Sequence, residues 1–185
     1  MEIGHGIWPL FAARQKRWRL SAKLLLSYTV DGLMWVDFAS GETDMVKTTT
    51  DLYRAVFDGS FDGPLVIDGE PRVGLLYPRW DIDLDVEVGG AEPMVEPGGG
   101  TSLHNVDGWF GFARCRYFLI PVDTPIPASL KVKKGKSKRT NKTRDRTGYH
   151  YQIEPLNRMT QTALMGALDN FARAAVVRQV ELAHG

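Results

Sequence analysis

The sequence predicts an α+β protein, mostly antiparallel strands closed by one C-terminal helix. Three observations carry this. Short apolar runs broken by Gly- and Pro-rich turns fill the middle of the chain. No strand there alternates with a helix, as a βαβ design would require. The last segment, "MTQTALMGALDNFARAAVVRQVELA", switches to helical spacing: Leu164, Leu168, Phe171 and Ala175 form one stripe, continued by Val176 and Val180.

Taken in order, residues 1–47 hold three of the five tryptophans and a basic cluster from Arg14 to Arg19. Within them "SAKLLLSYTVDGLMWVDF" reads as one or two strands turning at Asp31-Gly32. "LYRAVF" reads as a buried strand with Arg54 at its middle, ended by Asp58-Gly59. "DIDLDVEV" alternates strictly, so a half-buried strand is expected over Asp81 to Val88, with Ile82, Leu84, Val86 and Val88 inward. Its four acids serve either a cation or a solvated edge that resists strand-to-strand aggregation. "GGAEPMVEPGGG" is a loop by composition, and "GWFGFARCRYFLIPV" is a strand pair or one long strand. Residues 131–146, "KVKKGKSKRTNKTRDR", have Asp145 as their only acid and read as a solvated, mobile loop. "GYHYQIEP" is a short strand stopped by Pro155.

Bulk properties narrow the function. The chain has 185 residues, 43% hydrophobic and 24% charged, with a formal net charge of +1. No global field holds it on DNA or anionic lipid, so any such binding comes from local patterning. Residues 131–146 are the one place where several phosphates could be neutralised together, which leaves nucleic acid or an acidic protein as partners for that stretch. Cys115 is the only cysteine, which rules out an intrachain disulfide and reads as a buried structural thiol. No apolar run approaches the ~18–20 residues that span a bilayer, so membrane insertion is not expected.

Three places carry possible chemistry. In "PGGGTSLHN" the glycines let a ligand approach the backbone, and Thr101 and Ser102 then offer hydroxyls to a ribose or phosphate. The run is neither a Walker loop nor a Rossmann fingerprint, and His104 beside it could serve the same ligand but, as a lone histidine, reads as structural. Arg54 in an apolar strand costs several kcal/mol unless paired, either with a protein carboxylate or with a phosphate. His150 shares a strand face with Gln152, with Tyr149 and Tyr151 on the other, and is either a core histidine or a nucleotide contact.

"LYRAVFDGSFDG", "GGTSLH", "DTPIPASLKVK" and "GYHYQIEP…MGALDNFARAAVVRQ" together resemble the type VI secretion effector toxins of the Tse-two type, over roughly residues 45–185. The resemblance implies an ADP-ribosyltransferase-like fold with a split sheet. It implies a toxin made in the cytoplasm, exported through the type VI secretion apparatus without a signal peptide, and acting in the recipient cytoplasm to arrest growth. It also implies a cognate immunity protein and an NAD-binding pocket with no metal. Carried over by position, Thr101, Ser102 and His150 are the expected catalytic residues. Tyr53, Arg54, Gly100, Thr101 and Ser102 are expected to bind NAD. These side chains are expected to converge on one cleft. The glutamate that usually stabilises an oxocarbenium-like ribose has no evident counterpart, and Glu154 is not assigned that role. Because the resemblance begins near "MVKTTTDLYRAVF", residues 1–44 are expected to be a separate extension, with Met45 a candidate start.

Overall fold

The structure is a computed structural model and describes residues 45–185, apart from 58, 81–82, 88, 110–114 and 143–144. The hairpin and the basic cluster expected near the N-terminus lie outside the described residues.

Eleven elements follow one another in this part of the chain: β1 (Leu52–Phe57), β2 (Val66–Ile67), β3 (Glu70–Pro71), β4 (Val86–Glu87), β5 (Met94–Val95), β6 (Thr101–His104), β7 (Cys115–Ile120), β8 (Leu130–Asn141), β9 (Arg146–Pro155), β10 (Met159–Thr160) and α1 (Gln161–His184). The main sheet runs β7-β1-β6-β9-β8 and is antiparallel throughout. Smaller sheets form from β10-β5-β4 and β2-β3. Fold class and terminal helix are therefore as the residue pattern predicts.

Period-two alternation gives the main sheet two unlike faces. Leu52 and Val56 of β1, Leu103 of β6, Phe118 and Ile120 of β7, and Tyr151 and Ile153 of β9 are all buried in the core. Leu164, Leu168, Phe171, Ala172, Ala175 and Val176 of α1 belong to the same core. Burying each large apolar side chain contributes about 1.5–3 kcal/mol. Thr160 starts the helix: its hydroxyl accepts from the Ala163 amide at 3.2 Å, satisfying one of the free N–H groups of the first turn. The predicted stripe ends one turn early, because Val180 is exposed.

Three expectations need correction. Among the described residues of "DIDLDVEV", only Val86–Glu87 is strand. Asp83 instead closes a turn, accepting from the Arg79 amide at 2.9 Å and from its guanidinium at 2.8 Å, and this local bonding displaces a ladder. The basic stretch is no loop: β8 runs twelve residues along the sheet edge and pairs with β9, which begins at Arg146 and is longer than predicted. A solvated edge strand needs only one paired side, so its lysines face water without penalty. Finally, Cys115 lies in a strand as expected but is only half-buried.

Candidate functional site

The face of the main sheet turned away from the core carries the side chains of interest. Register defines it. Tyr53 pairs with Leu119 on one side and His104 on the other, and His104 pairs with His150. One step along the strands, Ser102 pairs with Gln152, which pairs with Lys133. Directly opposed residues share a face, so Tyr53, Ser102, His104, His150, Gln152 and Lys133 lie on one surface. Of these, Tyr53, Ser102, His150 and Gln152 are half-buried and Lys133 is exposed, while His104 is covered.

Thr101 and Arg54 belong to the other face. Thr101 is fully buried, and its hydroxyl donates to the Leu76 carbonyl at 2.5 Å. Among the described residues the Arg54 guanidinium bonds to two backbone carbonyls rather than to a carboxylate. Its Nη1 donates to the Ser102 carbonyl at 3.1 Å and its Nη2 to the Tyr77 carbonyl at 2.9 Å. Burial draws the Arg54 pKa below its usual value, with the nearby Asp83 opposing that pull. Tyr77 is tied down in turn, since its phenol donates to Asp169 of α1 at 2.9 Å. Burial and that bond push the Tyr77 pKa up to about 12. The expected convergence on one cleft thus resolves into two layers: Tyr53, Ser102 and His150 on the open face, with Thr101 and Arg54 behind the strand that carries Ser102.

Gly100 stands where the backbone is closest. A Cβ there would overlap the Ile153 carbonyl oxygen, so only glycine lets β6 start its pairing with β9 at Thr101. Gly99 is held the same way against the Asp83 carbonyl. Gly99 and Gly100 are therefore needed for close backbone packing, whereas Gly98 is held to glycine only by its φ of 120°.

His104 is more than a lone structural histidine. It is 3% exposed, its ring stacks on Trp109 at 3.6 Å between centroids and 11° between planes, and neither ring nitrogen has a hydrogen-bond partner among the described residues. Burial, then the neighbouring His150 and Arg139, lower its pKa to about 4, so the ring is neutral at pH 7. Burial, then Arg139, also pull the His150 pKa down. The segment covering His104 is anchored across the β8–β9 hairpin. Asn141 donates to the Trp109 carbonyl at 2.7 Å, and Asn105 accepts from the Tyr149 amide at 2.7 Å.

Glu154 is fully buried, and its Oε1 lies 3.6 Å from the ammonium groups of both Lys131 and Lys133. Its carboxylate accepts no hydrogen bond among the described residues. A separate hollow of about 350 Å3 opens beside residues 46–52 and the start of β8, lined in part by Thr49, Leu52, Lys134 and Tyr151. Tyr53, Ser102 and His150 do not line it. No cluster of three or more His, Cys, Asp or Glu side chains suited to a metal occurs among the described residues, and no helix there is long and apolar enough to cross a membrane.

His104 reads from the sequence as structural, because a single histidine carries no pattern. The sequence marks Gln152 only as a neighbour. The available signal was parity: two residues before His104 stands Ser102, on the same strand face.

Antiparallel sheets closed by one terminal helix give an α+β fold, and the class of protein follows from the family to which the chain is matched. The family model described as "Tse2 ADP-ribosyltransferase toxin" matches residues 41–180, and the chain belongs to that family. It is also 35% identical over 161 residues to "Toxin Tse2" of Pseudomonas aeruginosa (strain PAO1), covering 77% of this chain and 98% of the relative.

Proposed function

We propose that the chain is a growth-arresting toxin that binds NAD on the open face of the main sheet, with Ser102, Tyr53 and His150 as its principal contacts and Gln152 beside them. The observation that carries this is the shared face of Ser102, Gln152, His104 and His150 on two neighbouring strands, in a chain of an ADP-ribosyltransferase toxin family. The donor set fits the ligand. A hydroxyl and a carboxamide directly opposed can bridge two adjacent ribose hydroxyls. Tyr53 and His150 offer flat rings to stack on, and neutral imidazoles keep hydrogen-bond acceptors available.

NAD would supply the nicotinamide–ribose bond, whose cleavage develops positive charge on the ribose. The chain's part is to orient that ribose. Ser102 holds a hydroxyl from a backbone made rigid by Arg54, and Thr101 and Gly100 fix the same strand against its neighbours. Thr101, Arg54 and Gly100 therefore act through Ser102 rather than by touching the dinucleotide.

Export by type VI secretion, action in a recipient cytoplasm and neutralisation by an immunity protein are the matching biological reading. The test is inducible expression in a bacterium, following growth, cellular NAD and transfer of labelled ADP-ribose. Wild type should arrest growth and consume NAD or label a target. Ser102→Ala, folded, should do neither. Full toxicity in folded Ser102→Ala would refute the reading.

A second reading has one observation behind it. Lys134, Lys136 and Lys138 are exposed on the edge strand β8, as a nucleic-acid contact would need. RNA binding that falls steeply with salt, and that disappears on neutralising those lysines, would favour it.

A further inference from the structure

The hollow beside residues 46–52 lies behind the sheet, on the face opposite Ser102 and His150. Register places it there. Leu130, Val132 and Lys134 of β8 pair with Pro155, Ile153 and Tyr151 of β9, and Tyr151 pairs with Leu103 of β6. Leu103, Tyr151 and Ile153 are core residues, so these β8 positions share the core face. Residues 46–50 and 126–128 form the far wall, and about 350 Å3 stays open between them and the strands. Backbone bonds fix the walls. The Thr48 amide donates to the Thr124 carbonyl at 3.0 Å, the Ile126 amide to the Val46 carbonyl at 2.8 Å, and the Leu156 amide to the Ser129 carbonyl at 2.8 Å. The hollow is therefore preformed, and its volume falls at the small end of the ~300–1,000 Å3 common for ligand sites.

Its chemistry has two parts. Leu52, Ile126, Leu130, Val132 and Leu156 give it an apolar lining. The polar side chains that line it can all donate: the hydroxyls of Thr49, Thr50 and Tyr151 and the ammonium groups of Lys47 and Lys134. Lys131 lines it too, but its ammonium is drawn to Glu154 at 3.6 Å. Among the described residues no acidic side chain lines it. Tyr151 is the telling group. It is only 7% exposed, yet its hydroxyl bonds to no described residue, whereas a buried phenol normally finds a partner. Lys134 stands directly opposite Tyr151, so hydroxyl and ammonium can serve one acceptor. The Lys134 ammonium rests on the Tyr149 ring at 3.8 Å, a contact that leaves N–H groups to donate.

We propose that this hollow binds a small free monocarboxylate with a short apolar tail. The tail packs against Leu52, Leu130 and Val132, and the carboxylate accepts from the Tyr151 hydroxyl and the Lys134 ammonium, with Lys47 adding positive field. A cationic ligand would meet only like charge there. A sugar or a dinucleotide would press polar groups against an apolar lining. The site is independent of the NAD reading, because it uses the other face of the sheet and none of the same contacts.

The test titrates the isotope-labelled full chain with octanoate, hexanoate, octanol and octylamine, following the amide signals of Thr49, Leu52, Val132 and Tyr151. Octanoate should shift these signals and bind about fifteenfold tighter than hexanoate, since each buried methylene is worth about fourfold. Octanol should bind more weakly than octanoate, and octylamine more weakly still. Lys47→Gln with Lys134→Gln should weaken octanoate by about threefold to fivefold and leave octanol unchanged. Tyr151→Phe, which keeps the ring, should weaken octanoate by about fivefold. Leu156→Trp, at an exposed position that lines the hollow, should fill it and abolish binding in a folded protein. Saturating NAD should leave the octanoate affinity as it was. Octylamine bound as tightly as octanoate, no gain from hexanoate to octanoate, or full octanoate affinity in folded Leu156→Trp would each overturn the site. Tighter binding of the tripeptide Leu-Leu-Leu than of octanoate would make the hollow a peptide groove and overturn it as well. Displacement of octanoate by NAD would overturn it too, by moving the dinucleotide to this face.

Discussion

The guanidinium of Arg54 donates to the carbonyl of Ser102 at 3.1 Å from the face of the sheet opposite the one that bears the Ser102 side chain. The same guanidinium reaches the Tyr77 carbonyl at 2.9 Å. One side chain thus locks two segments behind the strand on which the proposed chemistry depends.

Replacing Arg54 should therefore act through stability. Arg54→Met leaves two carbonyls without their donor and should lower unfolding free energy by about 2–4 kcal/mol, read by urea denaturation. Arg54→Lys cannot span both acceptors and should recover only part of that loss. A folded Arg54→Met with wild-type stability and no NAD binding would show instead that Arg54 touches the ligand.

Thr101 and Ser102 are neighbours in sequence but should separate in effect. Thr101→Val removes a buried donor from the Leu76 carbonyl and should cost about 1–3 kcal/mol of stability, with whatever folded protein remains still active. Ser102→Ala should leave the melting temperature within a degree or two and abolish toxicity. Thermal melts beside growth assays separate the two, and equal loss of activity without destabilisation in both variants would contradict the division into layers.

Gly100→Ala should prove among the most damaging single-methyl changes in the chain, because the added carbon collides with backbone at Ile153 rather than with a movable side chain. A loss of at least about 2 kcal/mol is expected, with weakened protection of the β6–β9 amides in hydrogen exchange.

His104 gives the protein an acid-side weakness. Its pKa falls from the ordinary value in the unfolded chain to about 4 in the fold, so the unfolded state takes up a proton first as pH drops. Its contribution should be intact above about pH 6.5 and decline to a loss of about 3 kcal/mol near pH 4. His104→Phe, which keeps the stack on Trp109, should flatten that dependence in denaturation curves recorded across the range. An unchanged slope in the variant would assign the acid sensitivity elsewhere.

Much of the fold was legible because burial writes itself as periodicity. Leu52 and Val56 mark β1, and Leu164, Leu168 and Phe171 mark the buried stripe of α1. The misreadings arose where local bonding or edge position overrode pattern. Asp83 spends its carboxylate on a turn with Arg79, which the alternation of "DIDLDVEV" does not reveal. The lysines of β8 look like a solvated loop because an edge strand, too, is solvated on its unpaired side. Residue identities at the site were partly readable and their directions less so. Adjacent Thr101 and Ser102 must point to opposite faces of any strand, but which of them faces the core depends on the register with β9. His104 gains its character only from Trp109 and His150, neither of which its local sequence pattern connects to it.

The claim that the open face of the main sheet is the dinucleotide face is tested most directly by titrating isotope-labelled protein with NAD while following the ring signals of Tyr53 and His150 and the side-chain amide of Gln152. These three should shift together and saturate with one dissociation constant. If they stay still while signals around Thr49, Leu52 and Tyr151 move, the ligand occupies the hollow beside β8 and the account is wrong.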